Sequence, residues 1–540
     1  MFFKFSKKKI LMMMATILVV VFGVVGSLFL DKNFYISKNI EMGLVKSKSS
    51  ISYIWYKFKI AIREEGQSFV FSPSSIKLAA STFFSSQEYY ESSSGVGTKT
   101  AQSIPVLTYH GLPSEGEGSV NFDSFVSQMM ALKEAGWKTI TLKQFESYIK
   151  GEDEQIPDKS FLLTFDDGRK DTYYPVDPVL KNLGLNAVMF VITGQSLRPD
   201  QTVGSTYYLS SFELKKMLKS GRWELGSHTR KGHNLYPINR ELEEGHFLSN
   251  KLWVTEEDRE ETEDEYRNRI STDLQGSKLD IEHTLGIKIN SIAFPFSDFG
   301  EQSINFKDSV AIVKELTNLY YEFAFYQPDT SKGDSFNYPN DEFFMMKRIG
   351  PAPYLSATKL VEIMESGRAK DLPYESDGFG IEWRKSWGKV NHGQSMKLEA
   401  TENTTGAAVA LDGSYLWEDY IFEADVVLLS KGNVSLVARY KNNDNYLTCD
   451  FSDKRISLKQ RIDGVLQTVA VADRSVSLNS NMVIGIRVEG NGASCFIDQE
   501  QVLESPMSEK FERGGIGIHV WSELVGRAKV SVYSVVVKEI

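Results

Sequence analysis

The stretch FLLTFDDGRK, residues 161–170, sets two aspartates side by side at the end of an apolar run and directly before a glycine. Side chains alternate along a strand, so Asp166 and Asp167 would point to opposite faces if the strand ran on. Ending it at Gly168, which permits a sharp turn, lets both carboxylates aim into one space. Two negative charges gathered there either both face water, as solvated turn residues, or hold a cation between them. One carboxylate can then ligate a metal while the other stays free to take a proton.

Around this stretch, short apolar runs alternate with amphipathic ones. IPVLTYH, FLLTF, NAVMFVITG and WELGSH read as strands. FDSFVSQMMALKEAG, PVLKNLG and SSFELKKMLKSG carry apolar residues at helical spacing. INSIAFPF, YYEFAFY and FFMMKRIG continue the strand series, and KLVEIMESG closes it as a last helix. This rhythm predicts an α/β domain over residues 104–368 built as a distorted (β/α) barrel, with functional residues at the C-terminal ends of its strands. The acidic stretch ELEEGHFLSNKLWVTEEDREETEDEY, residues 241–266, interrupts it and reads as a solvated insertion leading into a helix. His246 and His283 fall in these segments and read as structural or solvated.

The chain holds seven histidines, and two stand in SHTRKGH, residues 227–233, at the end of the strand WELG. Asp167, His228 and His233 on one barrel face form a donor set suited to a catalytic divalent metal.

TFDDG and the later His-Thr…His resemble the first two motifs of the polysaccharide deacetylases, the NodB-homology group of carbohydrate esterase family 4. The resemblance spans residues 104–365. Most of that family spaces its two histidines four positions apart. The five-position spacing here resembles the branch acting on poly-β-1,6-N-acetylglucosamine, as does the Tyr-His of PVLTYHG. The resemblance implies that Asp167, His228 and His233 hold the metal, zinc ahead of cobalt, nickel or manganese. It implies Asp166 as general base and His110 as general acid. SIAFPFSDFG, residues 291–300, is similar to the family's aromatic-Pro-aromatic wall, which implies substrate contacts from Phe294, Pro295 and Phe296. The arginine that steadies the base in many relatives is absent there, and no Leu-x-His motif follows residue 300. Arg348 in MMKRIG is the candidate to replace that arginine and joins the substrate-binding set.

Both ends of the chain add context. Lys4, Lys7, Lys8 and Lys9 form a basic segment (residues 1–9) before an uncharged run, residues 10–30, long enough to span a bilayer. The expectation is a single-pass signal-anchor, with a cleaved signal peptide as the alternative and everything beyond it outside the cytoplasm either way, followed by a juxtamembrane region and linker to residue 103. A formal charge of −10 offers no basic face for nucleic acid. From about residue 380 to 540, short strands separated by Asn, Asp, Gly and Ser turns predict a β-sandwich. It resembles laminin-G and concanavalin-like modules, which implies contact with a cell-surface glycan. Trp417, Tyr440, Tyr446 and Trp521 are its candidate platform, with a place in the core as the alternative. Cys449 and Cys495 either pair, if on neighbouring strands, or stay as buried thiols. The expected activity is a membrane-anchored N-deacetylase acting on an N-acetylglucosamine polymer. A non-catalytic glycan-binding protein, or a deacetylase of peptidoglycan or chitooligosaccharides, are the alternatives.

Overall fold

The computed structural model describes residues 100–112, 120–152, 155–197, 205, 207–329, 333, 335–339 and 344–540. The expected basic segment, membrane span and nearly all of the juxtamembrane region lie outside the described residues. Within them, no helix is long and apolar enough to cross a membrane.

Seven parallel strands carry the first domain: β1 (Ile104–Tyr109), β2 (Ser160–Phe165), β3 (Ala187–Val191), β4 (Trp223–Ser227), β5 (Ser291–Ala293), β6 (Phe323–Tyr326) and β7 (Met345–Lys347). They neighbour one another in that order. The ring closes where Ile349, just past β7, bridges Leu107 of β1, with Ile349 N–H donating to Val106 O at 2.7 Å. The seam between β4 and β5 rests on one residue pair, Ser227 with Ile292, which makes the barrel distorted. The strands bury both faces, as parallel strands flanked by helices must, and β1, β2 and β3 are buried along their whole length.

Helices close the outside. In α1 (Phe122–Glu134), Asn121 caps the first turn by accepting from Ser124 N–H at 2.8 Å. Phe125, Val126, Met129 and Leu132 turn inward. α2 (Lys170–Leu183) starts straight after the Asp-Asp-Gly turn and ends on Gly184 in the left-handed conformation. α3 (Glu263–Leu285) begins with a Thr262–Glu265 capping box, so the acidic run ahead of it also serves as a helix N-terminus. Within that run, Glu244–His246 pairs back onto Leu235–Pro237 ahead of it, and Trp253–Val254 pairs with Arg259–Glu260, giving two short hairpins.

The C-terminal region is a sandwich of an 8-stranded and a 7-stranded sheet, almost wholly antiparallel. Its core is separate from the barrel's. Cys449 and Cys495 form a disulfide. They are not on neighbouring strands: Asn445–Ser452 belongs to one sheet and Gly492–Ile497 to the other, so the bond ties the two layers together. Tyr338 of the barrel stacks on Tyr415 at 4.4 Å, and Trp417 Nε1 donates to Lys370 O at 2.7 Å, fastening the sandwich to the barrel.

Candidate active site

Each expected chemical residue sits just beyond a strand's C-terminal end: His110 after β1, Asp166 and Asp167 after β2, His228 after β4, Arg348 after β7. The turn after β2 is tight, because Asp167 (φ 75°) and Gly168 (φ 70°) are both left-handed. A β-carbon at Gly168 would come within 3.2 Å of Ser196 Oγ and Val191 Cγ1. Thr229, after His228, is left-handed too. Such strain persists only where surrounding contacts hold it, and here it aims side chains into the barrel mouth.

Asp167, His228 and His233 offer ligand atoms that all lie within 4.8 Å of one another. Asp167 Oδ1 is 3.5 Å from His228 Nε2 and 3.3 Å from His233 Nε2. That oxygen is buried and makes no hydrogen bond in the described structure, a costly arrangement unless a cation satisfies it. His228 Nδ1 lies 2.8 Å from Ala293 O and donates to it, which leaves the Nε2 lone pair facing Asp167. The donor set therefore fits a divalent metal. Burial works against charge on Asp167, yet the two imidazoles hold its carboxyl far below the usual carboxylate range. Burial pushes the His228 imidazole down, toward the neutral form that ligates. For His233, burial is outweighed by Asp167, which holds its pKa up.

Asp166 is 1% exposed and takes a two-pronged contact from Arg348, Nη1 to Oδ1 at 2.7 Å and Nη2 to Oδ2 at 2.8 Å. Burial alone would raise this carboxyl, but Arg348 and the nearby imidazoles keep it below the usual range, hence ionised at neutral pH. Arg348 is itself 2% exposed, so it steadies Asp166 rather than contacting substrate. His110 stands on the open side, half exposed, its Nε2 3.6 Å from Asp166 Oδ2.

The aromatic-Pro-aromatic segment divides. Phe294 and Pro295 are buried, because Phe294 continues β5 into the core, and neither can wall a groove. Phe296 is 43% exposed. It packs on His233 and on His246, with ring centroids 4.6 Å apart in both pairs. The stretch also holds Asp298, which binds His246 Nδ1 at 2.8 Å. Asp298 escaped the sequence reading, although it lies two positions beyond Phe296, and His246 reads there as structural or solvated. Asp273 of α3 escaped it as well. Its buried carboxylate accepts from the Arg230 and Lys231 N–H groups at 3.1 and 2.7 Å and so shapes the loop between the two metal-site histidines.

In the sandwich, Trp417 is buried in the core between Tyr374 and Tyr420. That is where its large ring and bonded Nε1 are satisfied, and it belongs to no surface platform. Tyr440 and Tyr446 pair at 6.3 Å but are 5% and 8% exposed, packed with Val437 and Ala410. Trp521 is half-buried, with Lys459 Nζ 5.2 Å above its ring.

Residues 153–312 match the polysaccharide deacetylase family model. That match covers under a third of the chain, lies within the barrel and takes in Asp166, Asp167, His228 and His233. Over 122 residues, 23% of its length, the chain is 35% identical to the poly-β-1,6-N-acetyl-D-glucosamine N-deacetylase of Staphylococcus aureus, of which it covers 41%. The chain spans less than half the length of the curated relatives it matches. Among solved structures, a de-N-acetylase from Aggregatibacter actinomycetemcomitans is 19% identical and aligns over 48% of this chain and 99% of that one, with a TM-score of 0.41. A carbohydrate-binding module from Bacillus subtilis is 16% identical and aligns over 28% of this chain and 94% of that one, with a TM-score of 0.23.

Proposed function

We propose that this chain is a metal-dependent polysaccharide N-deacetylase, tethered by residues 10–30 and working outside the cytoplasm. Its substrate would be an N-acetylglucosamine polymer of the poly-β-1,6-linked type. The observation that carries the reading is the division of the Asp166–Asp167 pair. Asp167 joins His228 and His233 in a cluster with an unsatisfied oxygen, while Asp166 is locked by Arg348 facing His110.

A divalent metal held by Asp167, His228 and His233, zinc in the first instance, would supply Lewis-acid activation of the acetamide carbonyl and the attacking water. Asp166, ionised and unable to swing away from Arg348, accepts the proton of that water. His110 gives a proton to the leaving amine nitrogen, which must leave neutral. Arg348 holds Asp166 in place without touching substrate. The similarity to the Staphylococcus aureus enzyme over 122 residues supports the choice of polymer. The C-terminal sandwich would contact glycan at the cell surface, with Trp521 the one half-buried member of its four candidate platform residues.

The alternative of a non-catalytic, glycan-binding protein rests on the absent arginine and the absent Leu-x-His motif; Arg348 makes the contact the first would make, and His110 stands 3.6 Å from Asp166. Acetate release from β-1,6-linked, β-1,4-linked and peptidoglycan-derived acetylated polymers tests the proposal. Chelator-sensitive release that is fastest on the β-1,6 polymer is expected. Preference for another polymer would move the substrate, and no release from any would overturn the activity.

A further inference from the structure

The acidic insertion does more than interrupt the barrel. Its first hairpin carries His246 to the flank of the metal cluster, and the contacts there are unusually complete. Asp298, 1% exposed, has its Oδ2 bonded by His246 Nδ1 at 2.8 Å and by the Ser249 hydroxyl. Its Oδ1 accepts from the N–H groups of Gly300 and Gln302 at 2.9 and 3.2 Å. Asn250 Oδ1 accepts from Ile304 N–H at 2.7 Å, and Asn305 Nδ2 donates to Ile238 O and Lys251 O at 3.1 and 2.9 Å. These bonds tie the hairpin to residues 298–305, so it is a fixed wall.

Phe296 links that wall to the metal cluster. Phe296 (φ 57°) and Ser297 (φ 56°) are both left-handed, which places the ring between His233 (interplanar 33°) and His246 (interplanar 23°). Phe296 therefore bridges the two imidazoles, and at 43% exposure it stays an open aromatic surface beside them. His246 ends this three-ring run away from the metal cluster, with 22% of its side chain exposed. Its Nδ1 is committed to Asp298, which leaves Nε2 as the nitrogen open to a ligand.

We propose that His246 is a specificity-determining residue of the groove: its Nε2 hydrogen-bonds the sugar unit adjoining the one whose acetamide lies at the metal cluster. The site thereby favours an oligosaccharide over a single acetylhexosamine. This rests on the deacetylase reading and adds a second sugar position to it, supplied by the insertion. Asp298 acts through His246 as a positioning residue.

The test compares full-length wild type, His246→Ala, His246→Gln and Asp298→Asn on N-acetylglucosamine and on its β-1,6-linked pentamer. Losing one hydrogen bond to the neighbouring sugar should raise the pentamer KM about five- to tenfold in His246→Ala, with kcat within about twofold. His246→Gln should recover part of the loss, and Asp298→Asn should reproduce part of it. Kinetics on the monosaccharide and bound metal content should match wild type. An equal loss on both substrates, or none on either, overturns the proposal. Should wild type release no acetate from any substrate, the deacetylase reading falls by itself. Calorimetric binding of the pentamer then decides: weaker binding by His246→Ala sustains the contact, while equal binding or none overturns it.

Discussion

Replacing Arg348 by Met should damage the protein twice, and the two effects separate cleanly. Arg348 and Asp166 are both 1% exposed at their side chains, so their contact is not discounted by solvent. Removing the guanidinium strands a buried carboxylate that had two charge-assisted bonds at 2.7 and 2.8 Å. Breaking a buried pair from one side costs about 3–5 kcal/mol. Asp166→Asn strands the arginine instead, whose Nε already lacks a hydrogen-bond partner, and should cost a similar amount. Removing both charges leaves nothing uncompensated and should cost about 2 kcal/mol or less. Urea unfolding of the four proteins should therefore give a coupling energy of several kcal/mol. Additive single-variant losses would refute the claim that these two side chains satisfy each other. Acetate release supplies the functional half. Arg348→Met should lower kcat by about 100-fold or more with the metal retained, because Asp166 would lose both its charge support and its orientation.

Four further outcomes follow from particular contacts. Asp167→Asn should abolish tight metal binding in an equilibrium titration, since Asp167 supplies the anionic member of the cluster and the unsatisfied oxygen. Asp273→Ala should weaken metal affinity about tenfold by freeing the loop between His228 and His233. Burial raises the Asp273 carboxyl to about 6, above its unfolded value of roughly 4. Its contribution to stability is therefore full below pH 4 and lost as pH rises through 6, a slope that should vanish in Asp273→Asn unfolding curves. Replacing Cys449 and Cys495 by Ala releases a 46-residue link between the two sheets. That should cost the sandwich about 4 kcal/mol in thermal or urea unfolding while leaving the barrel's metal affinity unchanged.

What the sequence disclosed and what it hid divide along sequence distance. Asp166, Asp167, His228 and His233 stand in two short motifs at strand ends, where local spacing already indicates a shared face. The alternation of apolar and amphipathic runs did the same for the barrel. Arg348, the candidate for the absent arginine, lies 182 residues from Asp166, and its contact geometry became visible only where the barrel closes between β7 and β1. His246 and Asp298 are 52 residues apart, the first hidden in a charged stretch that reads as solvent-facing. Aromatic residues gave a second kind of ambiguity. Nothing in composition separates Phe294, Pro295 or Trp417, which are core, from Phe296, which is half out, because burial is decided by which way each strand end turns. The cysteines likewise meet across the sandwich interior, where neighbouring-strand logic does not look.

The central claim is that Asp167 serves the metal and Asp166 the proton. Acetate release from a β-1,6-linked N-acetylglucosamine oligomer, by wild type and Asp166→Asn at matched and measured metal occupancy, tests it most directly. The account predicts full metal binding in both proteins, release by wild type that stops with chelator, and a fall of at least about 100-fold in Asp166→Asn. Equal, metal-dependent release by the two proteins would contradict it.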